Sequence, residues 1–202
     1  MSVTIRFAEP RDAGALQAIY APYCESTPVS FETVAPSVAQ MAERIVRISA
    51  QYPWLVCEVA GQLAGYVYAT QHGERAAYGW SVDVAVYTSL GYRRRGVGRG
   101  LYTSLFSLLR AQGYYKAYAG IVVPNPESVR LHEAVGFKPM AVFPGVGYKL
   151  GRWRDVGWWQ LDLQPESAEP APPRSVGELR DSEVARAALA EGARLVRGSA
   201  GD

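Results

Sequence analysis

The sequence predicts an α/β fold: a single layered domain with one mixed, mostly antiparallel sheet of about seven strands and helices on both faces. Segments of strand-like alternation and segments of helical spacing follow one another through most of the chain. The 202 residues are 49% apolar, which suffices for one buried core but is short for two domains. No internal repeat is visible, so we expect one domain.

The N-terminal third begins with a strand and continues with two helices. Val3, Ile5 and Phe7 alternate with polar or small neighbours, which is typical of a half-buried strand. Ser37 and Gln40 have the spacing of a capping box, and apolar residues follow at helical spacing. We expect a strand at residues 3–7, a helix capped by Asp12 that ends near residues 23–26, and a second helix from Ser37 to residue 48.

Three strands are predicted in the middle of the chain, at residues 54–59, 62–70 and 78–87. In the third of these, Asp83 stands among apolar residues in the middle of the strand. An acidic residue there is unfavourable unless it is exposed on one face or has a partner in a cleft. Asp83 is therefore a candidate functional residue.

The segment from Arg93 to Gly100 has the composition of an anion-binding loop. It contains three glycines and four arginines, and it leads directly into an amphipathic helix that ends near Gln112 and Gly113. Glycines let a backbone approach a ligand closely, and the first turn of a helix presents unpaired N–H groups and the positive end of the helix dipole. The alternative interpretation is a flexible turn surrounded by solvated arginines.

Two known phosphate-binding loops do not fit this segment. A Walker loop needs Gly-Lys followed by Ser or Thr, whereas Gly98 is followed by Arg99 and Gly100. A dinucleotide-binding loop needs a different glycine spacing and an acidic residue about 20 positions further on, and the chain has nothing of that kind before Gln112.

The remainder of the domain supplies a strand, a short helix closed by Gly136, and two further strands. From residue 165 the sequence becomes rich in Pro, Ala and Glu, a composition that cannot build a core. We expect strands at residues 117–123, 137–143 and 153–163 and a helix at 127–135. We divide the chain into a domain at residues 1–164 and a tail at 165–202 that is disordered, or loosely helical and loosely docked, and carries no chemistry.

Composition argues against several classes of protein. A net charge of +2 and a pI near 8.5 are too mild to indicate a nucleic-acid-binding surface. No apolar run approaches the ~18 residues of a membrane span, and the charged N-terminus is unlike a signal peptide. Cys24 and Cys57 are too few for a disulfide framework, so we expect both to be reduced and buried. These features predict a cytoplasmic protein that binds neither nucleic acid nor membrane.

Two motifs resemble those of the GNAT superfamily of N-acetyltransferases. The pattern Arg93-x-x-Gly96-x-Gly98, after an apolar strand and at the start of a helix, resembles the pyrophosphate-binding motif of that superfamily. The pattern Asn125-x-x-Ser128-x-x-Leu131-His132, which Gly136-Phe137 closes, resembles its second cofactor-side motif. The resemblance implies a GNAT fold, acetyl-coenzyme A as acetyl donor and no metal.

A narrower likeness covers roughly residues 1–164. Several segments are similar to the phosphinothricin N-acetyltransferases and their amino-acid-acetylating relatives, and together they are more specific than any one alone. This likeness implies a homodimer, because such relatives pair through their C-terminal strands and helices. The segments include Tyr52-Pro53-Trp54-Leu55-Val56, Leu101-Tyr102-Thr103, Gly147-Tyr148-Lys149 and Asp155-Val156-Gly157-Trp158-Trp159-Gln160.

The resemblance places the cofactor along one strand end, the arginine and glycine loop, and the helix at 127–135. The strand end would pair with the pantetheine arm, the loop would hold the pyrophosphate, and an asparagine would contact the pantetheine. The implied cofactor-binding residues are Val86, Tyr87, Thr88, Arg93, Arg94, Arg95, Gly96, Val97, Gly98, Arg99, Asn125 and Ser128.

The catalytic candidates by resemblance are Asp83 and His132. Many members of the superfamily have a tyrosine at the position of His132, and a histidine there could protonate the departing thiolate or act as a base. Asp83 aligns with a glutamate that deprotonates the amine, but its side chain is one methylene shorter, which favours contact through water. The alternatives are a helix-surface histidine capped by a neighbour, and an aspartate that accepts local hydrogen bonds where two strands splay.

The acceptor pocket implied by the resemblance contains Phe31, Arg75 and Tyr78. Arg75 would pair with a carboxylate or phosphinate oxygen of the acceptor. Relatives that acetylate the herbicide often have a second basic residue where this chain has Gly73. We interpret the neighbouring His72 as an ordinary loop residue rather than as a replacement for that charge.

Three hypotheses for function follow. The leading one is an acetyl-coenzyme A-dependent N-acetyltransferase that acts on the α-amine of a small amino-acid analogue such as phosphinothricin, methionine sulfoximine or methionine sulfone. A second keeps the cofactor but makes the acceptor a protein N-terminus, a lysine or another small amine. A third is a non-catalytic acyl-coenzyme A-binding module in which the change from Glu to Asp has abolished turnover. The basic and aromatic residues of the implied acceptor pocket favour the first.

Overall fold

Residues 2–198 of the computed structural model are described, and they form seven strands and five helices. The strands are β1 (Val3–Phe7), β2 (Trp54–Val59), β3 (Gln62–Gln71), β4 (Ser81–Thr88), β5 (Lys116–Val123), β6 (Lys138–Lys149) and β7 (Arg152–Asp162). The helices are α1 (Ala13–Glu25), α2 (Val38–Ile48), α3 (Val97–Gln112), α4 (Pro126–Ala134) and α5 (Glu183–Arg194).

The strands form one sheet in the order β1-β2-β3-β4-β5-β7-β6. Every neighbouring pair is antiparallel except β4 and β5, which are parallel. The predicted class, a mixed and mostly antiparallel seven-stranded sheet, is therefore confirmed.

The parallel pair separates near its middle. β4 and β5 are in register only from Ser81 with Lys116 to Asp83 with Tyr118. Beyond this point β4 stays paired with β3 and β5 with β7, so the two strands diverge and leave a gap in the sheet. Val82 is buried against the α3 face, and alternation along the strand therefore directs Asp83 to the opposite face at the start of the gap.

Helices cover both faces of the sheet, as predicted. On one face, α3 buries Leu101 and Leu105 in the larger apolar cluster. On the other face, α1 and α2 pack over β2 and β3, with Met41 and Ile45 in a second cluster. The capping box expected at Ser37 is present, since its side chain accepts a hydrogen bond from the Gln40 N–H.

The tail does not behave as expected from its composition. α5 packs along α3, and Ala185, Ala188 and Val196 are buried in the same cluster as the α3 leucines. Ser104 Oγ donates a hydrogen bond to the Ala188 carbonyl over 2.9 Å. The segment is helical, which is one of the two expectations for the tail, but the expectation that it is disordered or loosely docked is wrong.

Small residues explain why the docking of α5 is not evident in the sequence. A Cβ atom on Gly100 would lie 2.5 Å from the Gly192 carbonyl oxygen, so the two helices approach each other backbone to backbone. Such an interface needs Gly and Ala rather than a stripe of large apolar residues. Its buried positions do recur at helical spacing, but Ala and Gly at these positions form no stripe of large apolar side chains.

β6 is longer than the sequence suggested and forms an edge of the sheet. It continues to Lys149, past the predicted end at residue 143, and a turn at Leu150 and Gly151 with positive φ angles of 52° and 76° joins it to β7. Cys24 and Cys57 are free and buried, as predicted. Within residues 2–198, no helix combines the length and apolar character needed to cross a membrane.

Candidate active site

The N-terminus of α3 is shaped for an anion. Gly96 is its N-cap and has a φ of 82°, a left-handed conformation that suits glycine. The first intrahelical hydrogen bond runs from the Gly100 N–H to the Gly96 carbonyl over 2.8 Å, so the N–H groups of residues 97–99 have no partner in the helix. A Cβ atom on Gly98 would lie 2.8 Å from the Leu131 side chain, which shows how closely α4 approaches this turn.

A cleft of about 670 Å³ opens in front of this helix end. Its walls are the end of β4, the arginine and glycine loop, the N-terminus of α4, and α1 with the loop after it. The cofactor-site candidates that line it are Val86, Thr88, Arg93, Arg94, Gly96, Val97, Gly98, Arg99, Asn125 and Ser128.

Two of the cofactor-site candidates do not line the cleft. The Tyr87 ring packs against Tyr20 and Tyr23, with ring centroids 4.8 and 5.2 Å away. The Arg95 guanidinium lies over the Tyr92 ring, 5.3 Å from its centroid. The backbone of Arg95 is also engaged, because its carbonyl accepts a hydrogen bond from the Arg197 N–H.

Tyr23 is a lining residue that sequence reasoning missed. Its hydroxyl donates to the Thr88 carbonyl over 2.7 Å and accepts from Arg93 Nη2 over 3.3 Å. It thereby connects α1, β4 and the arginine and glycine loop. No local pattern marks Tyr23, because its partners lie far along the chain.

Asn125 and Ser128 shape the opposite wall. The Asn125 side-chain oxygen caps α4 by accepting a hydrogen bond from the Ser128 N–H over 3.2 Å. Arg93 and Glu127 approach each other at 3.6 Å, so an ion pair links the loop to α4.

His132 is buried, not exposed on the helix surface. Its Nδ1 lies 2.7 Å from the Ser128 carbonyl oxygen, which can only accept, so this nitrogen carries the proton. Its Nε2 then accepts from the Tyr102 hydroxyl over 2.8 Å. Burial lowers the pKa of His132, which favours the neutral ring. Both nitrogens are thus bound to protein groups, and the side chain does not line the cleft.

Asp83 has a partner that the sequence did not reveal. Its Oδ1 lies 2.6 Å from Nδ1 of His72, and both side chains are about one quarter to one third exposed, 25% for His72 and 33% for Asp83. Burial raises the pKa of Asp83, and the hydrogen bond and charge of His72 oppose that shift. Interpreting His72 as an ordinary loop residue is therefore wrong.

The strand register contains the signal for this pair. Thr70 stands directly opposite Asp83 on neighbouring antiparallel strands. His72 is two positions beyond Thr70, so it leaves the strand on the same face and reaches Asp83 diagonally. A predicted hairpin register would have brought the two residues together, whereas composition and local spacing could not.

The three acceptor-site candidates are not equally placed. Tyr78 lies edge-on to His72, with ring centroids 5.6 Å apart. Arg75 is exposed at the start of the short 3-10 turn that Tyr78 ends. Phe31 instead lies against β6, where a Cβ atom on Gly147 would overlap its ring.

The loop that carries Phe31 is held by a buried lysine. Lys149 Nζ donates hydrogen bonds to the carbonyls of Ser30 over 2.5 Å and of Glu32 over 2.8 Å. Burial lowers the pKa of Lys149, and the nearby Glu32 carboxylate opposes that shift. The β6–β7 hairpin therefore fixes the position of the loop between α1 and α2.

The cleft has the features expected of a binding site for a phosphate-bearing ligand. A carboxylate and imidazole pair lies beyond it along β4, where β4 and β5 separate. Residues 5–158 match the acetyltransferase (GNAT) domain. The chain belongs to the GNAT acetyltransferase family.

Individual relatives share most of the chain. Phosphinothricin N-acetyltransferase of Streptomyces viridochromogenes is 41% identical over 174 residues, which cover 86% of this chain and 93% of that protein. The L-methionine sulfoximine/L-methionine sulfone acetyltransferase of Salmonella typhimurium is 32% identical, over 84% of this chain and 99% of that one. A solved GNAT superfamily phosphinothricin acetyltransferase from Sinorhizobium meliloti, in complex with acetyl-coenzyme A, superposes with a TM-score of 0.80 at 32% identity, over 85% of this chain and 94% of that chain.

Proposed function

We propose that this protein transfers an acetyl group from acetyl-coenzyme A to the α-amine of a small amino-acid analogue, of the phosphinothricin or methionine sulfoximine and sulfone type. The observation that carries the proposal is the cleft. It joins an anion-binding helix end to the last residues of β4, Val86 and Thr88. The Asp83–His72 pair does not line the cleft itself but lies further back along β4, where β4 and β5 separate. The named activities of the relatives support the choice of acceptor.

The donor half of the cleft fits coenzyme A by charge and by exposed backbone. The N–H groups of residues 97–99 and the side chains of Arg93, Arg94 and Arg99 would bind the pyrophosphate. The gap beside β4 would admit the pantetheine arm as an added strand along Val86. This orientation directs the thioester toward Asp83.

The reaction requires two proton movements. An α-ammonium group must lose a proton before its nitrogen can attack the thioester carbonyl, and the departing thiolate must gain one. We assign the first of these steps to Asp83 and its neighbours, where β4 and β5 separate. The carboxylate is partly exposed and stands at the vertex of the gap.

On the leaving-group side we propose that His132 acts through Ser128. Ser128 lines the cleft, and its Oγ lies 3.3 Å from His132 Nδ1. His132 would hold Ser128 and the first turn of α4 in position beside the thiolate. Replacing His132 with alanine should lower kcat by about tenfold or more while changing acetyl-coenzyme A affinity less. Unchanged turnover in a folded H132A protein would show that His132 does not have this role.

The acceptor half would bind the carboxylate or phosphinate group of the substrate. Arg75 is an exposed cation on the loop that follows His72, and Tyr78 adds an aromatic wall beside it. The carboxylate or phosphinate of a small anionic amino acid would pair with the Arg75 guanidinium.

A thiol-release assay tests the proposal. The protein is mixed with acetyl-coenzyme A and with phosphinothricin, methionine sulfoximine, methionine sulfone or ordinary amino acids. We expect release with at least one of the analogues at a rate well above hydrolysis. Release only with peptides or protein amines would favour a protein acetyltransferase. Tight cofactor binding without release for any amine would favour a non-catalytic acyl-coenzyme A-binding module.

We further propose a homodimer that forms through β6 and β7. β6 is an edge strand, and its long exposed apolar side chains are unusual for an edge that faces water. A second copy would cover them. The exposed apolar residues of this hairpin are Met140, Val142, Phe143, Val146, Tyr148, Leu150 and Trp153.

We also place the protein in the cytoplasm, where free buried thiols such as those of Cys24 and Cys57 are usual.

A further inference from the structure

We propose that His72 is the catalytic base, and that Asp83 orients it, so that the imidazole Nε2 takes the proton from the acceptor ammonium. This inference rests on the proposed acetyl transfer and assigns one step of it to a residue outside the resemblance-based site.

Hydrogen bonding fixes which nitrogen of His72 is available. Nδ1 lies 2.6 Å from the Asp83 carboxylate, so this nitrogen donates to the carboxylate and Nε2 carries the lone pair. Within residues 2–198, the only hydrogen bond of the His72 ring is the one to Asp83. Enzymes commonly activate a nucleophile with a base that a third group holds in position, and Asp83 would be that third group here.

Aromatic rings hold the imidazole in place. His72 stacks on Tyr118, with centroids 4.2 Å apart and planes at 18°. Tyr78 and Trp158 approach it edge-on at 5.6 and 6.3 Å. A side chain enclosed in this way on three sides, yet 25% exposed, is positioned rather than mobile and still accessible to a ligand.

The location of the pair matches the direction of the cofactor. Asp83 and Tyr118 form the last registered pair before β4 and β5 separate. An arm that enters the gap from the α3 end points its reactive end toward these two residues. The acceptor nitrogen must meet the thioester there, so its proton leaves beside the His72 ring.

The proton balance of the step is complete. The substrate ammonium gives one proton to Nε2, and the Asp83 carboxylate stabilises the resulting imidazolium. The neutral nitrogen then attacks the thioester carbonyl carbon, forming the C–N bond, and the C–S bond breaks. The coenzyme A thiolate takes the second nitrogen proton, and His72 returns the first to solvent. One ammonium and one acetyl thioester thus give one amide, one thiol and one proton.

Among residues 2–198, four side chains pack against His72 or bond to it. Asp83 of β4 is the charged group in contact with it, and the titratable rings in contact are Tyr78 and Tyr118. Trp158 of β7 is neutral. Further along β5, Lys116 pairs with Asp162 and Glu166, and these charges act on the Tyr118 hydroxyl. If removing His72 changes the pH dependence of turnover, Asp83 and Tyr118 are therefore the first other groups whose titration must be considered.

The test compares His72→Ala with His72→Phe, which keeps a ring on Tyr118 but has no nitrogen. Both should lower kcat by about 100-fold or more near neutral pH, with the KM for acetyl-coenzyme A changed less than about threefold. The deficit should shrink at high pH, where the amine is already deprotonated. Added imidazole should restore turnover of the alanine variant, which has a cavity, and leave the phenylalanine variant unchanged.

Asp83→Asn and the double variant with His72→Ala test the pairing. If the two residues act as one unit, the double variant is no slower than His72→Ala alone. Multiplicative losses, or turnover of folded His72→Phe within about threefold of wild type, would overturn the inference. A loss in His72→Ala that imidazole does not restore would also overturn it. If wild-type protein itself releases no thiol with any amine, the proposed function has failed instead.

Discussion

At the scale of single residues, Arg94 has an unusual backbone conformation and contributes a positive charge beside the cleft. Its φ is 61°, in the left-handed region that a residue with a Cβ rarely adopts. Such a conformation persists where the surrounding structure requires it, and it often accompanies function. Here it turns the backbone just before Gly96, and Arg94 is one of the residues that line the cleft.

Replacing Arg94 with alanine should therefore weaken acetyl-coenzyme A binding more than it slows turnover. A charge-assisted hydrogen bond to phosphate contributes about 1.5–3 kcal/mol, and about 1.4 kcal/mol corresponds to a tenfold change in affinity. We expect the dissociation constant to rise about tenfold in calorimetry, with the difference shrinking at high salt. Arg11→Ala, which removes an exposed arginine that pairs with Glu9, is the control. Equal affinity for R94A and wild type would exclude this phosphate contact.

At the scale of elements, α5 acts as a brace for α3. The segment just after it reaches the arginine and glycine loop, because the Arg197 N–H donates to the Arg95 carbonyl over 2.9 Å. Gly192 lies where a Cβ atom would collide with the Ser104 hydroxyl and the Gly100 carbonyl. The helix therefore supports the same end of α3 that presents the anion site.

Gly192→Val should force α5 away from α3. Overpacking of this kind costs about 1–3 kcal/mol in the free energy of unfolding, and acetyl-coenzyme A affinity should fall with it. Denaturant unfolding and calorimetry measure both. Ala187→Val, on the exposed side of the same helix, is the matched control and should cost less than about 1 kcal/mol. If the two variants are equally stable, the close helix contact does not contribute as inferred.

The elements also show what the sequence could and could not predict. The loop and α3 were predictable because glycine spacing, a leucine stripe and the stop at Gly113 are local signals. The His72–Asp83 pair depends on strand register, and the burial of His132 depends on Tyr102, thirty residues earlier. The docking of α5 relies on Gly and Ala, which recur at helical spacing but give no stripe of large apolar side chains.

At the scale of the whole molecule, the sheet serves one purpose at its centre and another at one edge. Its centre opens between β4 and β5 to form the cleft, while its β6 edge exposes apolar side chains. The hairpin at that edge also holds the loop of Phe31 through Lys149. Assembly through this edge would therefore lie close to the loop that carries Phe31.

A charge placed on β6 should disrupt the proposed dimer. We expect wild-type protein to sediment as a dimer at micromolar concentrations, and Val142→Lys to sediment as a monomer, because a lysine would be buried without a partner. Val46→Lys adds the same charge at an exposed position of α2 and should remain dimeric. A monomeric wild type, or an unaffected V142K protein, would contradict this interface.

The most direct test of the central claim follows the acetyl group itself. Wild-type protein is incubated with phosphinothricin and with acetyl-coenzyme A labelled in the acetyl carbon, and the products are identified by mass spectrometry and NMR. We predict that the label appears on the α-nitrogen of the acceptor, with one coenzyme A thiol released for each acetylated amine. Thiol release that leaves the amine unlabelled, or no release with phosphinothricin, methionine sulfoximine or methionine sulfone, would contradict the assignment.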